Sequence, residues 1–173
     1  DLPDYKKLAT YAPPVATRLY ASDGSLLIEY AEERRVFIDF VDMPPQLVNA
    51  FVAAEDQKFW THPGIDVQGI TRAAMGNAAR LVGFNVGFSG ASTITQQVAK
   101  NFFLTSERTL SRKIKEAILA LKLERAFSKQ HLMTLYLNQI FLGARAYGVG
   151  SAALMYFNKP VSELTLAECA FLA

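Results

Sequence analysis

Apolar residues recur at helical spacing along most of this chain, and polar islands break the pattern at three places. The periodicity predicts helices over 45–58, 67–81, 93–103, 110–127, 129–140, 151–157 and 166–172. Pro44 and Pro45 suit the start of the first, and His62-Pro63-Gly64 must end it. Asp66 and Ser128 stand where helix caps are needed, and Thr165 with Glu168 has the spacing of a capping box. Within 110–127, Leu110, Ile114, Ala117, Leu121 and Glu124 fall at helical intervals, which predicts that the stripe through Leu121 faces the core while Lys115 and Lys122 stay in solvent. Ahead of the helices, 18–20 and 25–30 flank the turn Asp23-Gly24 as a short hairpin, and 35–40 reads as a further extended piece. The expected class is mainly α with a small N-terminal β-hairpin element. A segment 1–40 is followed by a helical domain over 41–173. Between Leu81 and Ser89 no period holds, yet Leu81, Val82, Phe84, Val86 and Phe88 make the stretch apolar. Such a loop is expected to dip into a membrane surface, or else to fold over the core.

The first polar island, Gly90 to Asn101, is rich in Ser, Thr and Gln although it sits among apolar residues. Ser92 or Thr93 can cap a helix whose free N–H groups attract an anion, with Lys100 about two turns further on. The second is Glu55 to Gly64. Two carboxylates, Glu55 and Asp56, stand at the end of an apolar helix, where the helix dipole disfavours negative charge. If Phe51, Phe59 and Trp60 line a cleft around Glu55, desolvation would raise its pKa and make it a usable base near neutral pH. The third island, Glu107 to Glu116, opens the helix that carries Arg112 and Lys113. Arg112 and Glu116 are spaced as an i,i+4 ion pair. From 100 to 125 there are seven Lys or Arg against three Glu, whereas the whole chain carries a net charge of only +2. Basicity focused in this way suits an anionic ligand, and a diphosphate fits better than a nucleic-acid duplex.

At 173 residues the chain is long enough for one domain with a sizeable core. Its apolar fraction of 51% and mean hydropathy of +0.13 are high for a surface that meets only water. No run of about 18 apolar residues is present to span a bilayer, and Asp1 to Ala16 does not read as a signal peptide. Cys169 is the single cysteine, so no internal disulfide forms.

Taken in order, the islands resemble the motifs of glycosyltransferase family 51, the peptidoglycan glycosyltransferase domain of class A penicillin-binding proteins and of monofunctional transglycosylases. Glu55, Asp56, Phe59, His62 and Gly64 match the first motif, and Gly90 to Asn101 matches the second without a departure. Arg112, Lys113 and Glu116 match the third, and Tyr136, Leu137, Asn138 and Gly143 the fourth. The fifth is seen in Gly148, Ala152, Tyr156, Phe157, Leu164, Glu168 and Ala170. The resemblance implies a lysozyme-like α-helical lobe with a cleft. It implies inverting transfer from a lipid-diphosphate-linked glycan to the 4-hydroxyl of lipid II, extending a β-1,4 chain.

By motif position the resemblance makes Glu55 the general base and Glu116 a second essential carboxylate that positions the donor diphosphate, either through the clamp residues or through a divalent cation such as Mg or Mn. Lys100, Arg108, Arg112 and Lys113 are then candidates for the diphosphate clamp. Ser92, Thr93, Gln96, Gln97 and Asn101 are expected to contact substrate. His62 is expected to be structural, His131 to lie at the surface, and Tyr136 and Asn138 to be scaffold or cleft floor. The implied partners are lipid II, a lipid-linked glycan strand, the membrane surface and other cell-wall synthesis proteins, with no nucleic acid. The implied location is the outer face of a bacterial cytoplasmic membrane. Family members carry an upstream membrane anchor and, in class A proteins, a transpeptidase domain. Both are expected outside this segment, which has no Ser-x-x-Lys and no Lys-Thr-Gly. A lysozyme-like muramidase or lytic transglycosylase, and a non-catalytic module that binds lipid diphosphates, are the competing readings. The first would not need Lys100, Arg112 and Lys113 together, and the second would not need Glu55 and Glu116.

Overall fold

Helix α5 (Lys129–Gln139) is buried on every side from Leu132 to Asn138, and the fold is built around it. Leu132, Met133, Leu135, Tyr136 and Leu137 along it are all buried. The computed structural model describes residues 3–11, 17–23, 26–30, 36–81, 92–104 and 109–173. Among these, α1 (Pro45–Glu55), α2 (Val67–Leu81), α3 (Ile94–Phe103), α4 (Leu110–Ala126), α6 (Val149–Phe157) and α7 (Leu166–Leu172) complete the set of α-helices. Helix α3 packs on α4 and α5, and α1 packs on α7. The core draws Leu47 and Phe51 from α1, Ile94 and Val98 from α3, and Leu119 and Leu123 from α4. Strands β1 (Thr17–Tyr20) and β2 (Leu26–Tyr30) pair antiparallel, with Thr17 opposite Tyr30 and an irregularity between Leu19 and Tyr20.

Local capping fixes most of the helix ends. Thr93 caps α3 with Gln96, and Thr165 caps α7 with Glu168, each as a reciprocal box. Thr109 and Ser128 accept from the backbone of Arg112 and His131 at the starts of α4 and α5. Helix α1 stops at Glu55, three residues before the end expected from periodicity, because Asp56 leaves helical geometry at φ −158° and ψ 77°.

Helix α4 departs from its predicted orientation. Its buried face is Glu116, Leu119, Ala120 and Leu123, whereas Leu110 and Ile114 are exposed and Ala117 and Leu121 are only half-buried. Two apolar stripes run along this helix, and α3 and α5 both pack on the one that contains Leu119 and Leu123. Lys115 is exposed as expected, while Lys122 is half-buried. The loop expected to meet a membrane lies outside the described residues, apart from the backbone of Leu81.

The segment after Val36 is extended, yet no strand partner takes it up. The Asn138 side chain serves instead: its Oδ1 accepts from Ile38 N at 2.8 Å and its Nδ2 donates to Ile38 O at 2.8 Å. Ser151 Oγ accepts from Val36 N at 3.1 Å. The segment lies so close to α6 that a Cβ on Gly150 would stand 2.6 Å from the Val36 carbonyl oxygen. A short 3-10 helix, Tyr5–Thr10, is bound beside α5, where Leu8 enters the core and His131 Nε2 hydrogen-bonds the Leu8 carbonyl at 3.0 Å. His131 is therefore not a free surface residue. It is half-buried and stacked on Phe127. Burial pushes the Cys169 thiol above its ordinary value, with Glu168 adding to the effect, so it stays protonated and packs as an apolar group.

Replacing Asn138 with Ala leaves both backbone groups of Ile38 without their partner in a part-buried site. We expect a loss of about 2–3 kcal/mol in urea unfolding, the cost of stranding such groups. An unchanged midpoint would show that the 36–40 segment is not held by this side chain.

Candidate active site

Glu55 and Asp56 are adjacent in sequence but face different tasks. Asp56, buried at the C-cap of α1, sends its Oδ2 to the backbone N–H of Ile94 at 2.9 Å, the first residue of α3. A carboxylate disfavoured at the end of α1 thus lies at the favourable end of another helix. The same oxygen meets His62 Nε2 at 2.8 Å. Gly64 N–H donates to His62 Nδ1 at 3.0 Å, so that nitrogen accepts, and Nε2 carries the proton given to Asp56. His62 is structural, as expected. Gly64 is required at its position: its φ is +103°, and a Cβ there would lie 2.8 Å from the Ala120 carbonyl oxygen.

Asp56 turns inward and Glu55 turns out. Its carboxylate is exposed, and its Oε2 accepts from Gln97 Nε2 at 2.8 Å. The apolar cleft wall expected around it does not form from the residues proposed. Phe51 and Phe59 are fully buried in the core, and Trp60 is 42% exposed, edge-on to Phe59 and Phe40. Beneath this turn lies Tyr136, fully buried, its ring edge-on to Phe51. Burial raises its phenol far above the ordinary value, and the Glu55 and Asp56 charges push it further in the same direction. Tyr136 therefore remains protonated and forms floor beneath Glu55.

A second cluster forms at the start of α4. Glu116 is buried at 2% exposure and takes a close contact from Lys113 Nζ, which also donates to Ser92 Oγ at 2.6 Å. The expected pair of Arg112 with Glu116 is replaced by this i,i+3 pair, because Glu116 turns into the core face and the Lys113 stem follows it. Arg112 is half-buried, and its Nε is buried without a hydrogen-bond partner among the described residues.

The island over 92–101 divides. Ser92 and Gln97 are half-buried and touch Lys113 and Glu55, Lys100 is half-buried further along α3, and Asn101 is exposed. Thr93 and Gln96 are buried and occupied by their own capping box, and Thr93 Oγ1 also donates to Gly64 O at 2.6 Å. Both organise the helix start. At this helix start the N–H groups of Thr93, Ile94 and Gln96 are taken by the side chains of Gln96, Asp56 and Thr93. Arg108 lies outside the described residues.

Sequence reasoning passed over a third group. Glu124 Oε1 accepts from Thr95 Oγ1 at 2.5 Å and from Lys129 Nζ at 2.6 Å. Lys129 also donates to the His62 carbonyl at 2.7 Å and sits over the Phe59 ring at 4.6 Å. Signals were present: Glu124 falls on an apolar stripe, and Lys129 is a cation in the first turn of a helix, where the dipole opposes it. No cluster of three His, Cys, Asp or Glu side chains suited to a metal occurs among the described residues.

The Transglycosylase family model matches residues 23–173. Penicillin-binding protein 1A of Rickettsia prowazekii (strain Madrid E) is 56% identical over 173 residues, all of this chain and 22% of the relative. Penicillin-binding protein 1A of Neisseria cinerea is 52% identical over 172 residues, 99% of this chain and 21% of the relative. The chain thus spans about a fifth of the length of these relatives. A crystal structure of Penicillin-Binding Protein 1A from Haemophilus influenzae is 26% identical and covers 91% of this chain and 13% of its own, with a TM-score of 0.38, too low to bear on the fold.

Asp56→Ala strands the Ile94 N–H and the His62 ring proton in the interior. Unfolding free energy from urea titration is expected to fall by about 3 kcal/mol, against less than about 0.5 kcal/mol for Asp42→Ala at an exposed position. Equal effects of the two substitutions would remove Asp56 from its place as the tie between α1 and α3.

Proposed function

The chain belongs to the transglycosylase family, and from that premise we propose that it polymerises lipid-diphosphate-linked disaccharides into β-1,4 glycan strands. The observation that carries the proposal is the start of α3, which receives an exposed carboxylate at Gln97 and a cation at Ser92. Glu55 accepts the proton of the acceptor 4-hydroxyl as that oxygen attacks the anomeric carbon of the donor from the face opposite the diphosphate. The bond from that carbon to the diphosphate oxygen breaks, inverting the centre. The departing lipid diphosphate takes the electron pair and leaves as an anion, which Lys113, Arg112 and Lys100 stabilise, with Arg108 as a further candidate.

Lys113 is held beside Ser92 by Glu116. The planar fork of Arg112 suits bidentate contact with a phosphate. Any Mg or Mn arrives with the substrate diphosphate, and no step is assigned to it. A hydrolase of neutral glycosidic bonds has no comparable use for this cationic end.

The substrate's lipid places the reaction at a membrane, and the outer face of the cytoplasmic membrane is the location proposed. Exposed Leu110, Ile114 and Ile118 on α4 support contact with such a surface beside the basic residues. No helix is long and apolar enough to cross a membrane among the described residues. Other cell-wall synthesis proteins are proposed as partners by analogy with the relatives alone.

Incubated with fluorescent lipid II in detergent, the chain is expected to yield polymer. Glu55→Gln is expected to reduce the rate by about 10²–10⁴-fold, the range for a lost general base. Polymer at equal rates from both proteins would overturn the role of Glu55. Absence of polymer from the unsubstituted chain would contradict the activity proposed for this segment.

A further inference from the structure

Lys129 and Glu124 form an ion pair largely withdrawn from water, with side chains 21% and 8% exposed. Such pairs are poor sources of stability, because desolvation offsets most of the attraction between the charges. Lys129 is further disfavoured by its place in the first turn of α5. Helix and core would both be served by an uncharged residue, so the pair calls for another explanation.

Its contacts supply one. Lys129 holds the carbonyl of His62 at 2.7 Å, in the turn that follows Glu55, and Glu124 holds the hydroxyl of Thr95 at 2.5 Å, in the first turn of α3. Their own contact of 2.6 Å joins the two. Beside the direct bond from Thr93 Oγ1 to the Gly64 carbonyl, a chain of short polar contacts with directional demands thus runs from the 55–64 turn to the start of α3 by way of α4 and α5. Asp56 binds the two elements from the other side. The direction of the Glu55 carboxylate depends on how these ties hold the two elements, because it meets α3 at Gln97, 2.8 Å away.

We propose that Lys129 and Glu124 are positioning residues, which set the spacing between the 55–64 turn and the start of α3 and so the direction in which Glu55 presents its carboxylate. Neither touches the reacting atoms. An error of about 1 Å in such an alignment can cost about 10²-fold in rate without weakening substrate binding. The proposal rests on the glycosyl-transfer reading of Glu55, and its test includes a measurement independent of that reading.

The experiment compares the chain with Lys129→Met, Lys129→Arg and the double variant Lys129→Met with Glu124→Gln. Thermal melting, hydrogen exchange and lipid II polymerisation are followed in each. The double variant is expected to melt within a few degrees of the original chain, because it removes both charges and keeps an acceptor for Thr95. Its kcat is nonetheless expected to fall at least tenfold, with KM changed less than threefold. Amide exchange is expected to accelerate in 59–64 and 94–97 but not in α7. Lys129→Arg, which retains the donors, is expected to recover most of the rate.

Unaltered exchange in both segments would overturn the proposal whether or not any polymer forms. Loss of rate only in proportion to loss of folded protein would overturn it as well. Absence of polymer from the original chain, with the exchange pattern as expected, would leave the tie in place and count against the glycosyl-transfer reading alone.

Discussion

The arrangement depends above all on one carboxylate. Asp56 Oδ2 receives the first N–H of α3 and the ring proton of His62. That oxygen is the direct polar tie from the end of α1 to the first residue of α3, and it adds direction to the contact the shared core already makes between the two helices. The carboxylate is costly at the end of α1 and favourable at the start of α3, so its two helix-dipole interactions oppose each other. Hydrogen bonding decides the balance, because both donors are buried and would otherwise have no partner.

The same logic extends to the neighbouring charges. Glu116 is buried and could not remain so without Lys113, and Lys113 is thereby kept beside Ser92. Glu124 and Lys129 repeat the scheme between α4 and the start of α5. Three carboxylates that would destabilise the interior alone each hold a donor, and each donor or its neighbour reaches an element carrying a candidate functional group. Buried charge here contributes position more than stability, as expected when desolvation is large. The exposed groups, Glu55 and Asn101, are left to solvent or substrate.

Much of the fold was legible because the signals are local. Caps such as Ser128 and the Thr165–Glu168 box depend on a few neighbouring residues, and α2 and α7 match their predicted limits. The end of α1 was not legible, since Asp56 leaves the helix to satisfy a backbone group 38 residues away. The buried face of α4 was ambiguous for a different reason: two apolar stripes fit the period equally, and only packing against α3 and α5 selects between them. Within the candidate site, the chemistry of the sequence singles out Glu55, Asp56, Lys113 and Glu116, and the structure shows that Asp56 and Glu116 are buried while Glu55 is exposed. Thr93-Ile94-Thr95-Gln96 is a capping-box pattern in the sequence, and the structure forms that box with both side chains buried. Lys129 was overlooked because a lone cation at a helix start reads as surface until its partners from other helices are seen.

The central claim is that the start of α3 aligns a base on one side and a diphosphate clamp on the other. A crystal structure of this chain with a non-reactive lipid-diphosphate sugar and an acceptor disaccharide would test it most directly. The account predicts the diphosphate against Arg112 and Lys113, with the acceptor 4-hydroxyl about 3 Å from a Glu55 oxygen. A diphosphate bound away from α4, or an acceptor hydroxyl beyond reach of Glu55, would contradict it.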